Sequence, residues 1–389
     1  MSVSYWQDKR EKIIAKSCDV CIVGAGITGL SVAYWLKKED PNLKIIIVDK
    51  GALASGATGR NAGFVTCGSV EHFNRMVSKH GESLAVEIWQ FCEENRRSLQ
   101  KEIISDKAGH LDFAQKGSFS LASSQAELLE LQNVAALMSK HNVRVELLNQ
   151  VQTQKRLGVH NFVGGIKYCD DAEVHPVKLL SHMFQLVNCE LLEHSAVYRV
   201  ETTATGAREI LTPDYKIKSN IVVYCANGYS ETLDSYFSDK IYPTRGQILM
   251  MEPVAPFMEG PCYAHSYLDY FRQLPDGRLL IGGFRQLEAD TEKGFSDHTT
   301  EKIQNALHEF VKNHLPQFTK AQVTHRWSGV MGFSKDGEPM VGSLPSDDQI
   351  FFCGGYTGHG LGMSFQTSRV LVDLIFGRKI PDWLSAKRF

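Results

Sequence analysis

A short glycine-rich turn near the amino terminus constrains the fold of this chain more than any other feature. The apolar run CDVCIVG (residues 18–24) leads into the glycine-rich string GAGITG (residues 24–29). The stretch ITGLSVAYWLKKE then repeats apolar residues at helical spacing, and KIIIVDK follows as a second apolar run. The order of strand, tight turn, helix and strand predicts a βαβ unit on a parallel sheet that is covered on both faces.

The spacing of the glycines predicts a dinucleotide site. Glycine at Gly24, Gly26 and Gly29 allows a tight turn, close approach of the backbone to a pyrophosphate, and close packing of helix on strand. Asp49 closes the second strand, 20 residues after Gly29. A carboxylate there can accept both ribose hydroxyls and disfavours a 2'-phosphate. The alternative is a plain βα turn, with Asp49 as a surface acid.

Composition favours a small-molecule partner. The 389 residues carry a formal net charge of -2, with 43% hydrophobic and 22% charged residues, which is ordinary for globular proteins and offers no basic surface to nucleic acid. The nine cysteines are scattered and odd in number, which is typical of reduced thiols, and CxxC at Cys18 and Cys21 has no second ligand pair, so no metal is expected. No signal sequence or run of about 18 apolar residues is found, so we expect a cytoplasmic protein without a membrane span.

Strand and helix patterns interleave along the whole chain, which predicts two domains, one of them discontinuous. The expected class is α/β, or α+β overall, with a Rossmann-type domain built from residues 16–85, 150–235 and 325–389. Residues 86–149 and 236–324 are expected to form an inserted domain on a mainly antiparallel sheet. The strand YLDYFRQ and the hairpin turn PDG belong to this inserted domain.

Several segments together resemble one known family. GAGITG, VDK and ASGATGRNAGF (residues 54–64) resemble the amino-terminal signature of the D-amino-acid-oxidase superfamily of FAD enzymes, in the branch that contains glycine oxidase, sarcosine oxidase and gamma-glutamylputrescine oxidase. The segments PTRGQIL (243–249), YFRQLPDGRLLIGG (270–283), HRWSGVMGFSKDGEPMVG (325–342) and GGYTGHGLGMS (354–364) match in the same order. The resemblance spans the chain and implies an FAD-binding domain of glutathione-reductase type and a substrate domain. An unrelated nicotinamide dehydrogenase is the alternative.

The resemblance implies where FAD is held. The implied residues are Gly24, Ala25, Gly26, Ile27, Thr28, Gly29, Asp49, Lys50, Ser55, Thr58, Arg60, Asn61, Ala62, Gly63, Val197, Ala226, Asn227, Gly228, Gly332, Gly358, His359, Gly360, Leu361, Gly362 and Met363. Val197, in a strand, is implied to contact adenine through its backbone, and the second glycine turn reads CANG where ATG is commoner. Arg60 and Arg245 are expected to make cofactor or interdomain contacts.

The loop at 358–363 is implied to aim helix amides at the flavin. A helix amino terminus carries about half a positive charge, which stabilises an anionic reduced flavin. A flexible glycine hinge is the alternative. Sarcosine-oxidase-like enzymes attach FAD through a cysteine in the loop that here reads SGVMGFSKDGEPM, and this loop has none. We therefore expect non-covalent FAD.

The resemblance implies hydride transfer from a carbon bearing an amine to flavin N5, giving an imine that water hydrolyses. The candidate catalytic residues are Tyr270, Arg272, Trp327 and His359. Tyr270 and Arg272 alternate on one strand face, so an aromatic wall and a carboxylate fork could coincide. The alternatives are a surface cation on an edge strand for Arg272, a core aromatic for Trp327, and a purely backbone role for His359.

The substrate, the electron acceptor and the oligomeric state stay open at this stage. A gamma-glutamylputrescine-type or secondary amine is favoured over a glycine-type or D-amino-acid-type substrate. Sarcosine-oxidase-like enzymes activate oxygen with a lysine in the strand that here reads RLLIGG, which contains none. The acceptor is therefore oxygen or an electron carrier. A flavin-binding scaffold without turnover is the alternative of another class.

Overall fold

The computed structural model describes residues 4–8, 13–264 and 269–389. The chain divides into two compact units. The first unit comprises Met1–Arg60, Val177–Thr244 and Val330–Phe389, and the second comprises Asn61–Pro176 and Arg245–Gly329. Of the predicted strand YLDYFRQ, residues 267 and 268 lie outside the described residues.

The secondary structure consists of helices and strands in alternation, as the sequence predicts. The α-helices are α1 (Tyr5–Asp8), α2 (Ile27–Glu39), α3 (Ala57–Arg60), α4 (Val70–His80), α5 (Glu82–Leu99), α6 (Gln125–Lys140), α7 (Gln150–Leu157), α8 (Pro176–Val187), α9 (Glu301–His314) and α10 (Gly360–Ile375). The strands are β1 (Ile14–Val23), β2 (Ile45–Val48), β3 (Phe64–Val65), β4 (Ser118–Ala122), β5 (Val145–Asn149), β6 (Gly164–Tyr168), β7 (Ala172–Glu173), β8 (Glu190–Leu192), β9 (Arg199–Thr202), β10 (Arg208–Leu211), β11 (Tyr215–Tyr224), β12 (Ile241–Met251), β13 (Cys262–Ala264), β14 (Asp269–Gln273), β15 (Leu279–Gly282), β16 (Val323–Ser334), β17 (Met340–Leu344) and β18 (Asp347–Gly354).

The first unit is built on a mainly parallel sheet. Its order is β17-β18-β11-β1-β2-β8, with β1 parallel to both β11 and β2. All four residues of β2 are buried, as expected for a strand covered on both faces. Helix α2 connects β1 to β2, and Trp35 on it donates its indole N–H to the carbonyl of Phe365 on α10 at 2.9 Å. The predicted βαβ unit is therefore confirmed.

The second unit is built on a mainly antiparallel sheet in the order β16-β12-β15-β14-β13-β4-β6-β5. Strand β14 pairs antiparallel with β13 and with β15, while β13 pairs parallel with β4. One face of this sheet packs on α9 through fully buried side chains such as Phe271, Ile281 and Leu307. The predicted α/β class with a second, mainly antiparallel sheet is confirmed.

The limits of the two units differ from the expected domain limits. Residues 61–85, 150–176 and 325–329 lie in the second unit, and residues 236–244 lie in the first. Long-range strand pairing places β3, β6 and β7 in the second unit, since β6 pairs with β4 and β7 pairs with β3. These partners are far apart in the sequence, so local patterns do not reveal them. None of the helices in the described part of the chain is both long and apolar enough to cross a bilayer.

Candidate cofactor site and candidate substrate residues

The first glycine turn has no room for side chains. Gly24 has φ +118°, and a Cβ on it would lie 2.6 Å from the carbonyl oxygen of Cys225. A Cβ on Gly29 would lie 1.9 Å from the carbonyl oxygen of Gly24, where a backbone atom cannot yield. Both glycines are thus required for the turn between β1 and α2.

The carboxylate of Asp49 holds this turn. Its Oδ2 accepts the N–H of Ala25 at 2.6 Å, and its Oδ1 accepts the N–H of Gly51 at 2.8 Å. Burial raises the pKa of Asp49, and these two backbone donors oppose that effect. A carboxylate accepts about four hydrogen bonds, so it retains acceptor sites for ribose hydroxyls.

The amino end of α2 fits a pyrophosphate. Gly26 occupies the N-cap position and has no side chain to cap the helix. Such a helix end presents backbone N–H groups and a positive dipole end to an anion. The N–H of Ile27 is held by Thr58 Oγ1 at 3.1 Å.

The segment at residues 54–60 contains the helical turn α3, which positions the buried Thr58. Arg60 donates from Nε to the carbonyl of Ser55 at 2.9 Å, and the ammonium of Lys50 lies 3.0 Å from the ring centroid of Tyr229. All of these residues belong to the first unit, whereas Asn61, the buried Ala62 and Gly63 belong to the second.

The second glycine turn is bound to other segments of the first unit. The Asn227 side chain accepts the N–H of Gly355 through Oδ1 at 2.9 Å. A Cβ on Gly228 would lie 2.7 Å from the carbonyl oxygen of Met331, and a Cβ on Gly332 would lie 2.5 Å from Asn227 Oδ1. The structure thus brings Ala226–Gly228, Gly332 and the loop before α10 together.

Helix α10 begins at Gly360 with His359 at its N-cap position, and the His359 side chain does not cap it. The ring Nδ1 of His359 lies 3.1 Å from the carbonyl oxygen of Thr357. The loop is not a loose hinge, because the N–H of Thr357 donates to the carbonyl of Gly332 at 2.9 Å. The amino end of α10 therefore fits the electron-rich edge of a flavin, as the amino end of α2 fits a pyrophosphate.

The position of Val197 differs slightly from the expectation. It lies in the extended segment before β9 rather than in a strand, and its side chain packs in the core of the first unit. The N–H of the next residue, Tyr198, bonds to the carbonyl of Leu211 at 3.1 Å. Only the backbone of Val197 is thus suited to contact a ligand.

Three half-buried aromatic side chains of the second unit, Phe64, Tyr270 and Trp327, pack against one small apolar cluster. The ring of Phe64 lies 5.9 Å from that of Tyr270 and 5.4 Å from that of the buried Tyr263, both edge to face. Burial raises the pKa of Tyr270 to about 12, so its hydroxyl stays neutral at physiological pH. We name Phe64, Tyr263, Tyr270 and Trp327 the aromatic face. Sequence reasoning missed Phe64 and Tyr263, and only the position of Phe64 at the end of ASGATGRNAGF could have pointed to it.

Arg272 is expected from the sequence to bind a substrate carboxylate, or else to be a surface cation on an edge strand. The structure rules out the surface position. Arg272 is 4% exposed, and β14 lies between two other strands. Its guanidinium donates to the carbonyls of Gly63 at 3.3 Å and Val174 at 3.2 Å and to the carboxylate of Glu173 at 3.4 Å. Its Nε has no hydrogen-bond partner within the described structure. Three of the five N–H donors of Arg272 are thus committed to protein oxygens, and the side chain is buried rather than presented to solvent.

Arg245 also differs from the expectation of a cofactor or interdomain contact. It donates to both oxygens of the buried Glu292, from Nε at 3.0 Å and from Nη2 at 2.5 Å, and to Ser296 Oγ at 2.9 Å. All three residues lie in the second unit. The Arg245 guanidinium therefore fixes residues 291–296 to strand β12.

Comparison with known proteins supports the assignment of the cofactor. A family model described as FAD dependent oxidoreductase matches residues 19–374. The chain is 24% identical to probable oxidoreductase OrdL of Haemophilus influenzae, covering 92% of this chain and 83% of that protein. It is 22% identical to gamma-glutamylputrescine oxidoreductase of Escherichia coli, covering 93% and 84%.

The fold is also similar to a solved structure. The crystal structure of glycine oxidase from Geobacillus kaustophilus superposes with a TM-score of 0.79 at 20% identity, covering 94% of this chain and 96% of that one. This likeness concerns the fold. Since the family model extends over most of the chain and the glycine turns and helix ends of the first unit fit its cofactor, the chain belongs to the FAD dependent oxidoreductase family and uses FAD.

Proposed function

We propose that this enzyme oxidises a carbon–nitrogen bond of a small amine, and that a secondary or gamma-glutamylputrescine-type amine is its substrate. The observation that carries the proposal is the aromatic face of the second unit, together with the bonded state of Arg272. Aromatic rings bind an amine or its cation through their electron-rich faces. Arg272 is buried and bonded to three protein oxygens, so it is held by the second unit rather than presented to an amino-acid carboxylate.

FAD, when bound, supplies the hydride acceptor for the carbon bearing the amine, and the resulting imine hydrolyses in water. The residues of this chain bind and orient, since the cofactor carries the hard chemistry. Tyr270 and Trp327 hold the apolar part of the substrate, and the neutral Tyr270 hydroxyl orients the amine. The segment Gly358–Met363, which includes His359, presents the amino end of α10 to the flavin.

The remaining FAD contacts are proposed on the first unit and on residues 61–63, which follow Arg60 directly in the chain. Ala25 and Thr28 line the first turn, Asp49 receives ribose hydroxyls, and the backbone of Val197 meets adenine. Ser55, Thr58 and Asn61–Gly63 follow the extended cofactor chain. Nine free cysteines favour a reducing compartment, so we propose a cytoplasmic location.

An anaerobic reduction screen of the holoenzyme tests the proposal. The visible absorption of the flavin is followed after addition of gamma-glutamyl amines, N-methyl amino acids, simple secondary amines, glycine or D-amino acids. We expect the fastest bleaching with a gamma-glutamyl or secondary amine. Faster bleaching by glycine or a D-amino acid would replace the proposal with the amino-acid-oxidase alternative.

Two further outcomes of the same screen are informative. Bleaching by no amine supports a flavin-binding scaffold without turnover. When an amine does bleach the flavin, admission of oxygen separates an oxidase from a dehydrogenase. Rapid return of the colour identifies oxygen as the acceptor, whereas slow return indicates an electron carrier.

A further inference from the structure

Asn227 lies where three segments of the first unit meet. Its Oδ1 accepts the N–H of Gly355 at 2.9 Å, although the two residues are 128 positions apart. A Cβ added to Gly354 would lie 3.3 Å from the Asn227 Cα, and one added to Gly332 would lie 2.5 Å from its Oδ1. Asn227 therefore lies against Gly332 on β16 and against Gly354 and Gly355 at the end of β18.

The backbone of Asn227 restricts which residues can stand there. Its φ is +47°, in the left-handed region that glycine adopts freely and that asparagine and aspartate tolerate better than other side chains. Glycine would keep this conformation but lose the acceptor for Gly355. Asparagine provides both the conformation and the acceptor.

The loop that Asn227 holds is itself strained. Gly355, Thr357 and Gly358 have φ values of +75°, +50° and +90°. A β-branched residue such as Thr357 is rare in this region, and such strain persists only where the surroundings hold it in place. The restraints include the Asn227 side chain, the hydrogen bond from the N–H of Thr357 to the carbonyl of Gly332, and the bond from the N–H of Ser334 to Thr357 Oγ1. Helix α10 begins two residues after Gly358.

We propose that Asn227 is a positioning residue for FAD. Its amide oxygen fixes the loop at residues 355–358, and this loop sets the place of the amino end of α10. The side chain acts through Gly355 rather than by direct contact with the flavin. The inference rests on the binding of FAD and on the proposed role of α10, and it is independent of which amine is oxidised.

The test compares three variants of the holoenzyme. Asn227→Gly keeps the left-handed backbone and removes the acceptor, Asn227→Asp keeps both, and Asn227→Ala removes both. One hydrogen bond contributes a factor of roughly threefold to tenfold to an equilibrium, so we expect the Kd for FAD to rise by about that factor in Asn227→Gly. Asn227→Ala should bind more weakly still, and Asn227→Asp should stay within about twofold of the wild type.

Hydrogen exchange of the holoenzyme gives a second measurement that does not depend on turnover. The amides of residues 355–360 should exchange faster in Asn227→Gly and at the wild-type rate in Asn227→Asp. The matched control is Asn188→Gly, because Asn188 is an exposed asparagine of the same unit with φ +46°. This control should change neither FAD binding nor exchange of the loop.

The proposal is overturned if Asn227→Gly retains the wild-type Kd for FAD and the wild-type exchange of the loop, or if Asn227→Asp loses as much in both measurements as Asn227→Gly. Failure of the reduction screen with all amines would leave these two measurements intact. A failed positioning role and a failed substrate assignment are therefore distinguishable.

Discussion

The guanidinium of Arg272 donates to the carboxylate of Glu173 at 3.4 Å inside the second unit, and both side chains are more than nine-tenths buried. The same guanidinium bonds to the carbonyl of Gly63, next to β3, and to the carbonyl of Val174, next to β7. One side chain of β14 thus ties the short β3–β7 pair to the large sheet. Arg272 therefore stabilises the fold of the second unit.

Replacement of Arg272 by methionine should lower the free energy of unfolding by about 3–5 kcal/mol, because Glu173 would be left as a buried charge without its partner. Arg272→Lys should recover little, since one ammonium cannot match a planar fork that serves three oxygens. Urea unfolding measures both. Arg278→Met is the matched control on the same hairpin; its side chain is partly exposed, and we expect a change within about 0.5 kcal/mol. If Arg272→Met left the stability unchanged and raised KM for carboxylate substrates, Arg272 would instead be assigned to substrate binding.

Gly29→Ala should weaken FAD binding. The new Cβ would lie 1.9 Å from the carbonyl oxygen of Gly24, so the backbone of the first turn must move. Overpacking of this kind costs about 1–3 kcal/mol, which corresponds to a roughly tenfold to hundredfold higher Kd. Fluorescence titration of the apoprotein with FAD measures the change. Gly109→Ala is the control, because no described atom outside its neighbours lies within 4 Å of the added Cβ; an equal loss there would argue against a local clash.

Asp171 should make stability depend on pH. Burial raises its pKa from the ordinary 3.8 to about 7, against hydrogen bonds from Ser118 Oγ at 2.6 Å and from the N–H of Cys67. The native state therefore holds a proton that the unfolded state releases between these values. The resulting stabilisation is complete below pH 3.8 and is lost as pH rises to about 7.

Asp171→Asn should remove this part of the pH dependence, because an amide does not titrate. Urea unfolding of wild type and variant at intervals between pH 4 and pH 8 measures it as the difference between the two curves. The stability of the wild type should fall relative to the variant as pH rises. Parallel curves would show that Asp171 is ionised throughout this range.

Tyr270→Ala should raise KM for the amine identified by the reduction screen by roughly threefold to thirtyfold, the range of a cation–π contact, with unchanged FAD content. Tyr270→Phe keeps the ring, so a smaller change is expected and would isolate the hydroxyl. Steady-state kinetics and the flavin-to-protein absorbance ratio are the measurements. Tyr242→Ala, at a side chain that is 42% exposed, is the control. An unchanged KM in Tyr270→Ala would remove Tyr270 from the substrate site.

FAD should separate from the protein on acid precipitation, leaving a yellow supernatant. The loop SGVMGFSKDGEPM contains no cysteine that could form the thioether link of sarcosine-oxidase-like enzymes. Absorption of the supernatant and of the redissolved pellet measures the distribution. Colour that stays with the pellet would show covalent attachment at another residue.

Local patterns in the sequence were sufficient for the first glycine turn and its surroundings. Gly24, Gly29 and Asp49 lie within one βαβ unit, where turn chemistry and apolar periodicity act over a few residues. The same local signals indicated the hairpin turn before β15 and the glycine loop before α10. The resemblance added FAD, which no local pattern names.

The tertiary structure alone decided which atoms the key side chains meet. Arg272 and Glu173 are 99 residues apart, and Asn227 and Gly355 are 128 apart. Burial and hydrogen bonding at these positions depend on which strands pair, and strand pairing is a long-range property that a one-dimensional pattern does not encode. The sequence by itself therefore determined the dinucleotide turn and the fold class, whereas the structural role of Arg272 and the junction at Asn227 followed from packing.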